Sequence, residues 1–315
     1  MTQARGYKTQ VVLDYETAFG VAPGTPAGVK IPFNTFEVIG SQNLIDPATI
    51  TGTRNPVAPG KGNLSVSGSV TIPFDSNNIG YWLKALFGEP TTVGASVPYT
   101  HTFKVGDTQP SMVLEKGFPD INQYMKCLGC KVKTFKATFG GDGELTASLD
   151  IVGATEVVGN TPYMATPTTV NFNRLNNFQA SIKEGGSTLA TVTSFEINLD
   201  MGLDTTNYTI GAQGALGDIP EGIIAANGTI KVLFADATLM NKAINTTETS
   251  LELTVAQDAD NSITFLFPEV IYERKTPPIS GPGGVSLELN WRAYYTNDVN
   301  ASTVKVTLKN AISDY

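Results

Sequence analysis

Two stretches some 160 residues apart carry the same strand, turn and helix, and this recurrence constrains the fold more than any other feature of the chain. In residues 62–88, Gly68, Val70, Ile72 and Phe74 alternate with Ser67, Ser69, Thr71 and Pro73. A period of two is that of a strand with one buried and one wet face. Asp75, Ser76 and Asn77 then offer side-chain oxygens for a helix start. Ile79, Trp82, Leu83 and Leu86 follow at helical spacing, closed by Gly88. In residues 221–245, Gly228, Ile230, Val232 and Phe234 each stand 160 positions after their counterparts. Asp236 and Thr238 occupy the cap, and Leu239, Met240, Ala243 and Ile244 form the apolar stripe. Upstream, Thr35-Phe36-Glu37-Val38 returns as Ser194-Phe195-Glu196-Ile197, and downstream the run from Gly143 to Leu149 resembles the run from Gly284 to Leu289. A long fixed period is the mark of repeated structural units. The sequence therefore predicts two tandem β-rich domains, residues 1–155 and 156–315, joined in the aperiodic stretch 153–167.

Composition agrees with an all-β class with one short helix per domain, built as a sandwich or barrel. Charged residues are only 16% of the chain, apolar residues 41%, and there are 31 glycines and 18 prolines, which suits strands and turns better than helices. The N-terminal residues lack the apolar run of a signal peptide, and no stretch has the length of a membrane helix, so synthesis in a reducing cytoplasm is expected. A net charge of −8 argues against a nucleic-acid clamp. Helix packing is assigned to Trp82, Leu83, Leu86, Leu239 and Ile244. Residues 40–61 and 202–221 read as long connections, which are uncommon in compact domains unless they have work to do.

Signatures of catalysis are missing. His101, the only histidine, lies in an alternating run, Tyr99 to Phe103, that reads as a strand. Cys127 and Cys130 form a single C-x-x-C with no second pair to complete tetrahedral zinc. Asp258, Asp260 and Glu269 mimic the spacing of a calcium loop, but Ile263 takes the place that needs glycine. The expectation is a protein without cofactor, metal or enzymatic activity.

Several runs together resemble the tail tube proteins of tailed bacteriophages. They are Thr51-Gly52-Thr53-Arg54-Asn55-Pro56, Gly62-Asn63-Leu64-Ser65-Val66-Ser67-Gly68 and Ile79-Gly80-Tyr81-Trp82-Leu83-Lys84-Ala85-Leu86. Pro98 to Phe103, Leu114-Glu115-Lys116-Gly117-Phe118, Gly129-Cys130-Lys131-Val132 and Glu16 to Gly20 fit the same pattern, so the resemblance covers roughly residues 5–155. It implies a virion protein made in the host bacterial cytoplasm. Six tube domains would close a ring, and stacked rings would form a hollow tube for DNA. Partners would be further copies of the chain and other tail proteins: tape measure, terminator, baseplate or tip. Two domains per chain then imply a trimeric, pseudo-sixfold ring. Asp46, Arg54, Asn55, Lys61, Asn207, Tyr208, Asp218 and Glu221 become candidates for contacts between rings. Glu144, Thr146, Ser148, Asp150, Glu196, Asn198, Asp200 and Glu288 become candidates for the lining of the channel, where carboxylates would repel DNA phosphates. Two other readings are a tail terminator or baseplate ring on the same fold, and a carbohydrate-binding adhesin with Tyr208, Tyr294 and Tyr295 as its sugar platform.

Overall fold

The structure, a computed structural model, describes residues 3–296 and 299–315. The chain begins with β1 (Gln10–Tyr15), β2 (Val29–Lys30), β3 (Thr35–Phe36), β4 (Ile39–Ile45) and β5 (Gly60–Pro73), then α1 (Ile79–Phe87). There follow β6 (Thr91–Val93), β7 (Tyr99–Lys104), β8 (Met112–Phe118), β9 (Gln123–Phe139), β10 (Thr146–Gly153), β11 (Thr155–Gly159) and β12 (Thr168–Thr169). The later elements are β13 (Ala180–Glu184), β14 (Ser187–Thr188), β15 (Val192–Asp200), β16 (Ala225–Leu233) and α2 (Thr238–Ile244). Last come β17 (Thr249–Ala256), β18 (Ser262–Tyr272), β19 (Ser286–Ala293) and β20 (Lys305–Asn310). The fold is all-β.

Strand neighbours recur. One series runs β2, β1, β8, β9, β10, β5 and ends on β3 and β4. The other runs β14, β13, β17, β18, β19, β16 and ends on β15. Registers agree as well. Phe36 faces Val70 as Phe195 faces Ile230. Ile151 faces Gly68 as Trp291 faces Gly228, and Val132 faces Ile151 as Tyr272 faces Trp291. Even an irregularity is shared: the β8–β9 ladder slips between Met112 and Leu114, the β17–β18 ladder between Thr249 and Leu251. Register is set by which side chains must face inward, so the recurring alternation and the recurring pairing have one cause.

The two series also join. The second half of β9 pairs with β15, Thr134 opposite Asp200 through Phe139 opposite Phe195. Near the chain's end, β20 bridges β18 and β7. Long β9 changes partners along its length, from β8 and β11 to β10 and β15, and so belongs to two sheets. Between the sheets lies one buried cluster drawn from both series. Phe74 meets Phe139 edge-on at 5.4 Å, Phe135 stacks on Phe265 at 6.0 Å, and Phe195 stacks on Trp291 at 5.6 Å. Aromatic pairs at such spacings add about 0.5–1.5 kcal/mol each beyond the area they bury.

The helices differ more than their sequences suggest. In α1 eight of nine residues are buried, so it is wedged into the core. Its start is held by Asp75, fully buried, whose carboxylate accepts from the Asn77 and Asn78 N–H groups (2.7 and 3.0 Å), Asn78 Nδ2 (3.0 Å) and the Asn173 N–H (2.9 Å). In α2 only Leu239 and Ala243 are buried, and Ile244 is half-exposed. Asp236 caps it through the Thr238 N–H at 2.7 Å.

Three sequence expectations need correction. Residues 40–61 are not a plain loop: β4 and the start of β5 occupy both ends, leaving an exposed arm whose tip is residues 46–59. Lys61 therefore lies in a strand, opposite Leu44. Polar Ser41, Gln42 and Asn43 hid the strand, because an arm with no buried face has no alternation to show. The stretch 153–167 is likewise not aperiodic throughout, since β11 pairs back on β9.

Candidate functional site

One sheet presents a continuous polar face built from the outward positions of strands whose other positions form the core. A single row crosses seven strands: Thr35, Thr71, Ser148, Lys136, Asn198, Asn227 and Arg292, each opposite the next. Beside it, Ser69, Asp150, Thr134 and Asp200 make a second row. Glu196 lies opposite Thr138 and accepts from Thr229 Oγ1 at 3.4 Å, while Glu288 lies opposite Lys231. Thr146, Ser148, Asp150, Glu196, Asn198, Asp200 and Glu288 thus share this surface. Glu144 sits just before β10, paired with Arg174 at 2.9 Å and accepting from Asn34 Nδ2 at 2.8 Å.

The face is not uniformly acidic. Lys136, Lys231 and Arg292 stand among the carboxylates, and their outward position was legible in the alternation of β9, β16 and β19. Most acidic groups there are engaged. Asp150 accepts from Thr134 Oγ1 at 2.6 Å, and Lys275 lies 3.4 Å from Glu288. Glu273 takes Asn290 Nδ2 at 2.8 Å and Arg292 at 3.2 Å, and these bonds hold its carboxyl below the usual range, the Asn290 contact first. Hydroxyls, amides and balanced charge give a surface without an array of unpaired cations to grip phosphates.

The residues nominated for contacts beyond the chain fall into two groups. Asp46, Arg54 and Asn55 stand exposed on the arm tip. Residues 202–221 fold back against the base of that same arm, with the Leu64 N–H donating to the Gly214 carbonyl at 2.8 Å. Tyr208 and Asp218 are exposed there, and half-buried Asn207 donates to Asp204 at 3.2 Å. Glu221 is a mooring and not a free contact. It pairs with buried Lys131 at 2.7 Å and accepts the Gln109 N–H at 2.8 Å. Burial would raise its carboxyl, but the Lys131 and Gln109 bonds outweigh that and bring it below the ordinary value. As for a tyrosine platform, the Tyr294 hydroxyl is engaged by Glu248, which pushes it up to about 12.

Residues with chemical potential are otherwise occupied. His101 is fully buried: Nε2 meets the Ile312 carbonyl at 2.8 Å and Nδ1 meets Thr92 Oγ1 at 2.9 Å. Burial lowers its pKa. A histidine kept neutral in the fold costs stability once the unfolded chain begins to take up the proton. Thermal stability should therefore fall as pH drops through about 6.5, and a His101→Asn variant, less stable throughout, should lose that dependence. A melting midpoint independent of pH through that range would refute it. Cys127 and Cys130 are buried free thiols in β9, and Cys130 is raised well above normal by its hydrogen bond with Cys127 and by burial, the opposite of a reactive thiolate. Asp258 is saturated by the Asp260 and Asn261 N–H groups and the Asn261 amide of its own turn. Among the described residues no group of three or more His, Cys, Asp or Glu is placed to hold a metal.

No curated protein matches the chain. A family model described as phage tail tube protein matches residues 6–293.

Proposed function

The chain belongs to the phage tail tube protein family, and on that premise we propose that it polymerises as stacked trimeric rings, each ring a pseudo-hexamer of two tube units per chain. It is a structural protein of the virion tail. The observation that carries the trimer is the recurrence of one strand order and one register in both halves. Two equivalent units per chain make three chains sufficient for six positions, and closing the sheet removes edges that otherwise invite aggregation. The polar face across β5, β10, β9, β15, β16 and β19 would form the inner wall, where its balanced hydroxyls and ion pairs let DNA pass without capture. The arm tip with Asp46, Arg54 and Asn55, and the folded-back segment with Tyr208 and Asp218, would reach the next ring. Other tail proteins would close the two ends of the tube.

Cryo-electron microscopy of tubes grown from the purified chain tests this. Three chains per ring, with Lys136, Asn198 and Asn227 on the wall of the hole, are expected. Six chains per ring would refute the trimer, and a wall made from any other face would refute the lining.

A further inference from the structure

The β9–β15 junction inside the chain is a template for a junction the isolated chain lacks. It pairs residues 134–139 with residues 195–200. Seen from its other neighbour, β15 is the counterpart of β3 and β4. Asn198 faces Asn227 and Leu199 faces Ala226, as Ile39 faces Ser67 and Gly40 faces Val66. Among the described residues, β4 has a strand on one side only. The counterpart of late β9 is the segment that follows β18. Val132 and Tyr272 hold the same place against Ile151 and Trp291. Past that point β9 carries one extra residue, Lys133, before Thr134 faces Asp150, whereas Glu273 meets Asn290 directly, so residues 273–276 correspond to 134–137. That segment lies along β19, with the Glu273 N–H donating to the Asn290 carbonyl at 2.9 Å. Residues 273–276 are exposed, and among the described residues no strand pairs with them on the far side.

The open side of β4 is not left bare. The Glu37 N–H donates to Ser69 in β5, so odd positions point inward and Val38 and Gly40 point out. The Val38 carbonyl accepts from Lys116 Nζ at 3.0 Å, and the Gly40 N–H donates to Glu156 Oε1 at 3.2 Å. Their counterparts Ile197 and Leu199 sit in the β9 ladder instead. Two charged side chains thus stand where a strand stands in the other half. Such side chains guard edges against unplanned pairing and give way to a matching strand.

Resting on the ring reading above, we propose that residues 273–276 of one chain complete the β4 edge of its neighbour, in the antiparallel register Val38–Thr276, Ile39–Lys275, Gly40–Arg274. The Glu273 N–H faces Asn290, so Arg274 and Thr276 turn their backbone groups away from β19 and toward that edge. The Gly40 N–H passes from Glu156 to the neighbour's Arg274 carbonyl, and the Val38 carbonyl passes from Lys116 to the neighbour's Thr276 N–H. Pro277 and Pro278 follow and have no N–H to extend the ladder. The ladder between chains is accordingly shorter than the six pairs within the chain.

In this register Ile39 and Lys275 form a pair not bridged by backbone hydrogen bonds, where Cα atoms approach to about 4.5 Å, within the span of a disulfide. Both residues are exposed, so a double variant Ile39→Cys, Lys275→Cys should fold. Assembled and oxidised, it should convert largely to covalent dimers and trimers on a non-reducing gel. The offset pair Ile39→Cys, Thr276→Cys should give far less, and the parent chain none. Rings seen by microscopy but not linked by the 39–275 pair, or linked equally by the offset pair, overturn this junction while leaving the ring reading intact. A chain that forms no rings overturns both.

Discussion

Replacing Gly228 with valine should leave most of the chain insoluble. A Cβ at this position would sit 1.9 Å from the Glu196 carbonyl oxygen and 2.8 Å from the Trp291 ring. The obstructing atom is backbone, and the backbone belongs to β15, which is pinned between β16 and β9. Neither side can yield by a rotamer change. Overpacking a core costs about 1–3 kcal/mol when side chains can adjust, and a fixed carbonyl puts the cost at or above the top of that range. Set against a total stability of about 5–15 kcal/mol, the loss leaves little margin. Gly68 holds the matching register position in the first series of strands, 2.1 Å from the Glu37 carbonyl, and Gly68→Val should fail in the same way. The milder Gly228→Ala and Gly68→Ala variants allow the claim to be measured in soluble protein: both should melt well below the parent. Alanine variants that melt with the parent would show that the two strands separate freely here, and the close crossing would not be a requirement of the fold.

Truncating Tyr315 to alanine should cost about 3–5 kcal/mol, the range for removing a large buried aromatic ring. Its ring lies over Gly80, where any Cβ would come within 2.1 Å of it. It meets Tyr81 edge-on at 4.9 Å and His101 at 4.8 Å. The hydroxyl donates to the Asn77 carbonyl at 2.9 Å and accepts from Asn310 Nδ2, and Asn310 is fully buried. Alanine would leave a cavity beside α1 and remove a partner from a buried amide. Tyr315→Phe keeps the ring and should lose only about 1–3 kcal/mol, the cost of the unsatisfied polar group. Denaturant titration separates the two, since the midpoint should fall with the slope unchanged. An alanine variant as stable as the parent would mean the end of the chain is not part of the core around α1.

Much of this molecule was legible because its strands are half-buried. Val70, Ile72 and Phe74 announce β5, and Leu145, Ala147, Leu149 and Ile151 announce β10, because one buried face imposes a period of two. The same rule exposes the polar partners Ser148, Asp150, Asn198 and Asp200 as a shared surface. It fails where a strand has no buried face: β4 is exposed along nearly its whole length and read as loop. It also cannot weigh helices, since Leu239 and Leu83 stand in similar patterns, yet α1 is engulfed and α2 rests on the surface. The balance of charge on that surface was harder to read for a related reason. Lys136 and Arg292 lie far from Asp150 and Glu196 in sequence, and only the pairing of β9, β15, β16 and β19 sets them on one face.

By itself the sequence determined that the chain is all-β, that the same pattern occurs twice, and where the helix caps fall. Each of these is written in local periodicity or in a residue type that one backbone position demands. Which strands became neighbours was decided by tertiary structure alone. So was the mooring of Glu221 on Lys131, and so was the guarding of β4 by Lys116 and Glu156. Those contacts join residues tens of positions apart, and their energy comes from desolvation and hydrogen-bond geometry that exist only after the sheets have closed over the core.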